Sequence, residues 1–577
     1  MTQTTDGCAK ASELRFTGLD VALPSALFLD GYPPYDGTDV LLCEGKGAEG
    51  RPFVLWEGNP LMGKSSGGGL FSIPAHIPYP PSLAKETGGE LLISEIAQQG
   101  SPVRLITITN ATMLLDDPRA MAEVLAKALA QAGPRDVIYA PGLGEPRHMA
   151  VLAYLGLGLF DSQPAVKAAL KGHRMALGPG GAIADKDNSE RQLLETNYAL
   201  MRSELALITD ALRKSTLRCL AEERAAADTR TMALLRLFDH EHLDLLERDL
   251  PVNRVQKMEC ITRESLNRPE VQRWRARLRE RYERPPSPHI LLLLPCSARK
   301  PYSFSKTHRR FADALPINGR NCVHEVVVTS PLGIVPRELE IFYPANRYDI
   351  PVIGVWDENE REMIRQTLSE FLSKCRYGSC VCHFPDRDIV APVLEAQGFK
   401  TIIYTCQDHR STSHDSLRGL HEGVLKALEG TKAFPSGPKR HREDMLSRLA
   451  FLFTKSVSQG LKEFDVVGRY PEIKITARGK QIGMYVEERG SISLTAEGAK
   501  LLKAAGAYCV SIDEFPPKGT IFAQGIKDAT SDIRPGDDVA VSNSSYIAIG
   551  TALMSGREMK GAGTGPAVAI RHYEKIS

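Results

Sequence analysis

The 577-residue chain has little net charge: 72 lysines and arginines stand against 70 aspartates and glutamates, a formal +2. That excludes a global basic field, so any nucleic-acid contact has to come from local patches. No run of about 18 apolar residues occurs, and no membrane span is expected. The opening stretch MTQTTDGCAKASELRF lacks the apolar core of a secretion signal. Disulfide-pattern spacing is missing too. The cysteines (Cys8, Cys43, Cys219, Cys260, Cys296, Cys322, Cys375, Cys380, Cys382, Cys406 and Cys509) are odd in number and scattered, which points to reduced thiols and a cytoplasmic location. What is present is ordinary for a globular protein, with 42% hydrophobic and 25% charged residues. The length exceeds what one core supports, so about three to five domains are expected.

Residues 1–254 form a first block. Asp117 to Ala130 is amphipathic, with Pro118 at a first helical position. A short strand, Asp136 to Ala140, leads through the turn Pro141–Pro146 into a helix over Arg147 to Leu157. This βαβα order predicts a parallel sheet, open or closed as a barrel. Gly58-Asn59-Pro60-Leu61-Met62-Gly63-Lys64-Ser65 matches the phosphate-loop pattern, but three glycines and a proline follow where a helix is needed, so nucleotide binding is not expected. Asn188 to Leu250 is strongly helical. His240 and His242 there do not share a helix face, which argues against a metal.

Residues 255–288 form a basic connector. Arginines interleave with Trp274 and Tyr282, a composition that suits either a charged helix or RNA contact through Arg273 and Arg277. Residues 289–430 predict a compact, largely parallel α/β domain, with strands at His289–Leu294, His324–Thr329, Pro351–Val355, Ser379–Phe384 and Lys400–Thr405. Cys375, Cys380, Cys382, His383, Cys406, His409 and His414 invite a zinc reading. Cys380 and Cys382 alternate in a strand, though, and the spacing of structural zinc sites is missing. No metal or cofactor is expected. Residues 431–500 read as a small α+β domain, and 501–577 as a β-barrel of short strands.

Pro295 to His308 follows the apolar run Ile290–Leu294. A thiol, an amine, hydroxyls and an imidazole therefore leave a buried strand together, where α/β sheets bind ligands. Pro295-Cys296, Lys300-Pro301-Tyr302, Ser305 and His308 match the PC-x3-KPY-x2-S-x2-H signature, and the chain resembles the archaeosine synthase family. Thr329–Gly333 and Pro336–Glu340 are similar to that family as well. Lys518–Ile526, Ile533–Val539 and Ala548–Ser555 resemble a PUA RNA-binding domain, with Lys518, Gly519, Gly525, Lys527 and Arg534 as RNA contacts. The first block resembles the TIM-like barrel of tRNA-guanine transglycosylases through Pro141–Pro146, Gly156–Gly158 and Leu159–Ser162. Asp161 falls where those enzymes keep a nucleophilic aspartate. The family's base-pocket motif and zinc ligands are absent.

The resemblance implies an α/β multidomain protein acting on tRNA that carries 7-cyano-7-deazaguanine at position 15 of the D-loop. An amine donor, lysine or glutamine-derived ammonia, adds to the nitrile. A radical-SAM partner then cleaves the adduct to the amidine, and a homodimer is expected. The alternatives are base exchange through Asp161, or a non-catalytic tRNA-binding subunit. In chemical terms, Cys296 either adds to the nitrile as a thiolate, helped by Arg299, Lys300 and a protonated His308, or is structural while His308 serves as base for direct amine attack. Lys300 and Ser305 are candidates to polarise the developing anion. Arg299, Tyr302, Arg337, Glu338 and Asp349 (with Glu340) are candidates to hold the donor.

Overall fold

The computed structural model describes residues 111–406 and 409–576, preceded by segments 5–10, 12–16, 19–27, 29–30, 40–42, 53–57, 71–76, 91–96 and 103–108. Contacts divide the chain into two compact units: Met1–Pro251 with Gly561–Thr564, and Val252–Lys560 with Gly565–Ser577.

In the first unit a five-stranded sheet runs in the order Leu91–Ile96, Val103–Ile108, Val137–Tyr139, Leu157–Asp161, Ser25–Leu27. Its first pair is antiparallel and the rest are parallel. Leu29–Asp30, Val40–Leu42, Phe53–Glu57 and Phe71–His76 form a separate parallel sheet. Among the described residues no ladder joins the two sheets into a ring. The α/β alternation is therefore observed, and a closed barrel is not. Gly58–Ser65, the phosphate-loop look-alike, lies outside the described residues. The helix Pro118–Gln131 starts at its proline, and the Asp117 side chain accepts from the Ala120 amide at 3.2 Å. The helical stretch is a layer of Glu190–Arg213, Leu217–Ala225, Thr229–Glu241 and Leu243–Arg248. Its apolar faces join one core with Met149, Leu152 and Phe160.

The second unit is built on a sheet of β1 (Ile290–Pro295), β2 (Val323–Thr329), β3 (Gly333–Pro336), β4 (Ser379–Cys382) and β5 (Thr401–Tyr404), in the order β3-β2-β1-β4-β5. Four strands are parallel; β3 turns back antiparallel on β2. Ile290 to Leu294 are all buried, which explains why β1 is continuously apolar rather than alternating. Ile290, Leu292 and Leu294 pack with Phe311 and Leu315 near the helix Lys306–Ala314, and with Leu420 and Val424 of the helix His414–Leu428.

One expected strand is corrected. Pro351–Val355 is an exposed loop: proline removes an amide donor and Gly354 adopts φ +76°. Only Tyr348–Asp349 pairs here, parallel to Met258–Glu259. The arginine-rich connector is mostly the helix Pro269–Glu280, with Trp274 buried and donating to the Ile334 carbonyl at 3.1 Å. Beyond the central sheet, Asp465–Val467, Lys474–Ala477, Lys480–Val486 and Ser491–Leu494 form an antiparallel meander. The last block is a six-stranded sheet in the order Thr520–Phe522, Pro566–Lys575, Tyr546–Ala552, Asp538–Ser542, Cys509–Ile512, Ile526–Ala529.

Candidate functional site

Pro295, the last residue of β1, pairs with Val328, so Cys296 comes out of the sheet beside Thr329. Burial pushes the Cys296 thiol up; the Thr329 hydroxyl and the Lys300 ammonium pull it down but do not win. The Thr329 Oγ1 lies 2.5 Å from the Tyr348 hydroxyl, which lies 2.6 Å from that of Tyr302. Both tyrosines are buried, and burial pushes both phenols up. Lys300 Nζ sits 4.0 Å from the centre of the Tyr348 ring. Burial lowers the Lys300 pKa, against the raising influence of Cys296 and Asp349. Asp349 is ion-paired with Lys257, which holds its carboxyl below the usual range. A thiol raised by burial and an amine lowered by it thus act on each other's charge at the carboxyl edge of the sheet.

The other motif residues buttress this edge. The Ser305 hydroxyl caps the helix Lys306–Ala314 by accepting from the His308 amide at 3.1 Å. His308 is buried, and its Nδ1 accepts from Arg337 Nη2 at 2.8 Å. Burial, reinforced by that guanidinium, drops its pKa to about 3. The protonated His308 expected from sequence is therefore corrected to a neutral imidazole. Arg337 also donates to Glu325 Oε2 at 2.6 Å and to Glu340 Oε2 at 2.7 Å. Glu340 in turn accepts from the Ser303 amide at 3.2 Å. Four of the five Arg337 N–H groups are thereby engaged by the protein itself.

Glu338 is not part of this edge. It follows β3, whose Pro336 pairs with Val326, and accepts from the Tyr282 hydroxyl at 2.5 Å. His324, in the first half of β2, lies 3.2 Å from its other oxygen and holds the carboxyl down at about 2. Arg299 is exposed next to the motif. Asp161 is fully buried: Oδ2 accepts from the Tyr139 hydroxyl at 2.9 Å and the Gly142 amide at 2.7 Å, and Oδ1 from the Gln163 amide at 2.8 Å. Gly144 is pressed so closely on its carbonyl that a Cβ would stand 1.9 Å from that oxygen. Arg277 borders a cavity with Tyr343, Phe453 and Asp537, and burial lowers its pKa to about 10; Arg273 borders a neighbouring one with Trp274. In the last block Lys518 is exposed, 5.8 Å from the Tyr573 ring centre, and Lys527 pairs with Asp513 at 3.5 Å. Gly519 takes φ +65°, Gly525 packs on Phe515, and Arg534 donates to the Ser531 carbonyl at 2.7 Å.

Among the described residues no group of three or more His, Cys, Asp or Glu side chains is placed to hold a metal ion, and no helix is long and apolar enough to cross a membrane. Sequence reasoning missed Lys257 and Glu325; it had Thr329 only within the family-like run Thr329–Gly333 and Tyr348 only as the loop neighbour of Asp349, and brought neither to Cys296. Thr329 was within reach, because the last residue of a neighbouring parallel strand shares the carboxyl edge with Cys296.

Comparison with known proteins adds an independent line. Residues 271–424 match a family described only as a domain of unknown function (DUF5591), and residues 518–573 match the PUA domain. An archaeosine synthase subunit alpha of Methanosarcina acetivorans is 34% identical, covering 89% of each chain. An archaeosine synthase of Haloferax volcanii is 31% identical, covering 81% of this chain and 82% of its own. A tRNA-guanine(15) transglycosylase of Methanocaldococcus jannaschii is 23% identical over 69% of this chain and 55% of its own. With such identity held over most of its length and a PUA domain at its end, this chain belongs to the archaeosine synthase family.

Proposed function

We propose that this protein joins an amine, lysine, to the nitrile of 7-cyano-7-deazaguanine at position 15 of the tRNA D-loop. It is an enzyme of archaeosine biosynthesis, a transferase acting on tRNA. The observation that carries the chemistry is the pair formed by Cys296 and Lys300 at the carboxyl edge of β1, where burial raises the thiol and lowers the amine.

In this reading Lys300 Nζ takes the thiol proton as the Cys296 sulfur bonds to the nitrile carbon. The π pair moves to nitrogen, which receives the proton back, leaving a thioimidate. The neutral amine of the donor then attacks the same carbon and expels the thiolate, which is reprotonated. The product is a substituted amidine. His308 takes no part as a base, because its Nδ1 already accepts from Arg337. Its place, with Ser305, Arg337 and Glu340, is to fix the loop that carries Cys296 and Lys300. Asp349 and Arg299 suit the donor's ammonium and carboxylate, and Tyr302 and Tyr348 wall the pocket.

The remainder of the chain serves the tRNA. In this reading residues 1–254 are a transglycosylase-type barrel domain, a reading that the α/β alternation of its described strands supports. Residues 255–288 connect it to the catalytic domain at 289–430, and 431–500 precede a PUA grip at 501–577 using Lys518, Gly519, Gly525, Lys527 and Arg534. Base exchange is left out because all of the Asp161 hydrogen bonds described above fix it inside the fold. A radical-SAM companion would cleave the adduct; the Methanosarcina relative is itself called a subunit alpha.

Incubating nitrile-bearing tRNA with lysine and the wild-type protein, followed by mass spectrometry of the nucleosides, tests this reading. A gain of one lysine is expected, and it should vanish in Cys296→Ala while tRNA affinity holds. Full turnover by Cys296→Ala would remove the thiol from the mechanism.

A further inference from the structure

Thr329, Tyr348 and Tyr302 are buried together, and each hydroxyl has one proton to give and lone pairs with which to accept. The partners decide where the three protons point. Tyr302 is the inner end: among the described residues its hydroxyl meets Tyr348 at 2.6 Å and Thr329 at 3.5 Å, and no other group. Tyr348 meets Tyr302 and, at 2.5 Å, Thr329. Thr329 alone reaches an acceptor outside the set, the Ser330 carbonyl at 3.1 Å. One arrangement uses the short contacts and gives every proton an acceptor. Tyr302 donates to Tyr348, Tyr348 to Thr329, and Thr329 to Ser330. A closed ring of the three would need the 3.5 Å contact, which is long for an O–H···O bond.

The outer end of this chain lies beside Cys296. Pro295 pairs with Val328, so Cys296 and Thr329 each stand one residue further along neighbouring parallel strands. The Thr329 hydroxyl is among the groups that favour the Cys296 thiolate. Its oxygen already accepts from Tyr348, so what it offers the sulfur is its proton. A neutral thiol gains little from a donor, whereas a thiolate gains a charge-assisted bond. Burial pushes up both phenols behind it, and the Cys296 charge adds to that rise, so they keep their protons while the sulfur is charged. Charges also reach Cys296 directly, Lys300 favouring the thiolate and Glu360 opposing it.

We infer that Tyr302, Tyr348 and Thr329 form a one-way donor chain whose last hydroxyl turns from the Ser330 carbonyl to the Cys296 sulfur whenever that sulfur is charged. Thr329 then touches the reacting atom, and the two tyrosines are positioning residues that act through it. Its use in catalysis rests on the proposed reaction, in which the sulfur carries charge twice: as it loses its proton to Lys300, and again as the donor amine expels it. Thr329 gives a hydrogen bond at both moments and transfers no proton.

The test is the rate at which iodoacetamide alkylates Cys296 at pH 8.5, read by peptide mass on the full chain without tRNA. Below its midpoint a thiol reacts in proportion to its thiolate fraction. A hydrogen bond to a charged group is worth about one pKa unit or more, so Thr329→Val should slow alkylation about tenfold. Thr329→Ser should restore the rate. Tyr348→Phe leaves the strand end untouched and should also slow the reaction, because the Thr329 oxygen is then open to accept from the thiol. A merely structural role has the opposite sign, since a loosened site exposes the sulfur and speeds alkylation. An unchanged or faster rate in Thr329→Val overturns the inference, and so does a wild-type rate in Tyr348→Phe. Alkylation needs neither tRNA nor amine. Slowed variants of a protein whose wild type makes no lysine adduct would keep the donor chain and sink the proposed reaction; adduct formation with unslowed variants would do the reverse.

Discussion

Lys300 is the residue whose surroundings most alter what it can do. On a solvated surface a lysine is a fixed positive charge. Here burial favours the neutral amine, while the nearby thiol, Asp349 and the face of the Tyr348 ring favour the cation. A group poised in this way accepts a proton only above its own pKa. The adduct rate should therefore rise with pH through a midpoint below the ordinary 10.5 of lysine. Lys300→Gln should flatten that limb and slow adduct formation by about 10²–10⁴-fold, the usual range for a lost acid–base group. A pH–rate series on the two proteins at saturating tRNA reads this directly, and an unchanged profile in the variant would assign the limb to another group. The sequence made Lys300 and Cys296 legible, since both leave a recognisable buried strand. It also suggested a cationic His308, because imidazole near a thiol is a familiar pairing. What decides otherwise is burial, reinforced by Arg337, which is 29 residues away and donates to that ring. Periodicity carries no information about such a contact.

At the level of elements, the proposed reaction divides the motif into parts that react and parts that build. Ser305 is a helix N-cap, and Ser/Thr caps contribute about 1 kcal/mol. Ser305→Ala should lower the thermal midpoint by a few degrees, and the conservative Ser305→Thr should restore it. A calorimetric scan of the three proteins, set beside adduct rates well below the melting range, separates this from a catalytic role, for which the rate would fall without a shift in melting. The strand β1 was readable because five consecutive apolar residues between prolines have few alternatives. The hairpin β2–β3 was not, because Gly333–Pro336 is only four residues long and ends in a proline. Pro351–Val355 misled in the opposite way. Its β-branched composition reads as a buried strand, and nothing local reveals that no neighbouring strand pairs with it. The arginine helix shows the same limit. Arg277 reads as a surface charge, yet it borders an interior cavity beside Asp537, a position fixed by residues far along the chain.

For the molecule as a whole, the near balance of charge leaves tRNA recognition to local features, in keeping with the exposed Lys518 of the last block. The short strands of the C-terminal block were legible from turn spacing, while the strand pairing of the first block was not, because short strands with glycine-rich connections do not announce their partners. The burial that raises Cys296 is shared by Cys8, Cys322, Cys375, Cys380, Cys382 and Cys509, whose thiols are all pushed up. Oxidants and alkylating agents attack the thiolate, and each unit of upward shift removes about nine-tenths of it. These seven sulfurs should react with iodoacetamide at pH 7.5 at least about tenfold more slowly in the native protein than in urea, as counted by peptide mass. If Cys296 instead labelled first and fastest, it would be a standing thiolate. In the proposed reaction, a nucleophile kept protonated until its substrate arrives would let the enzyme persist under oxidative stress without sacrificing its sulfur.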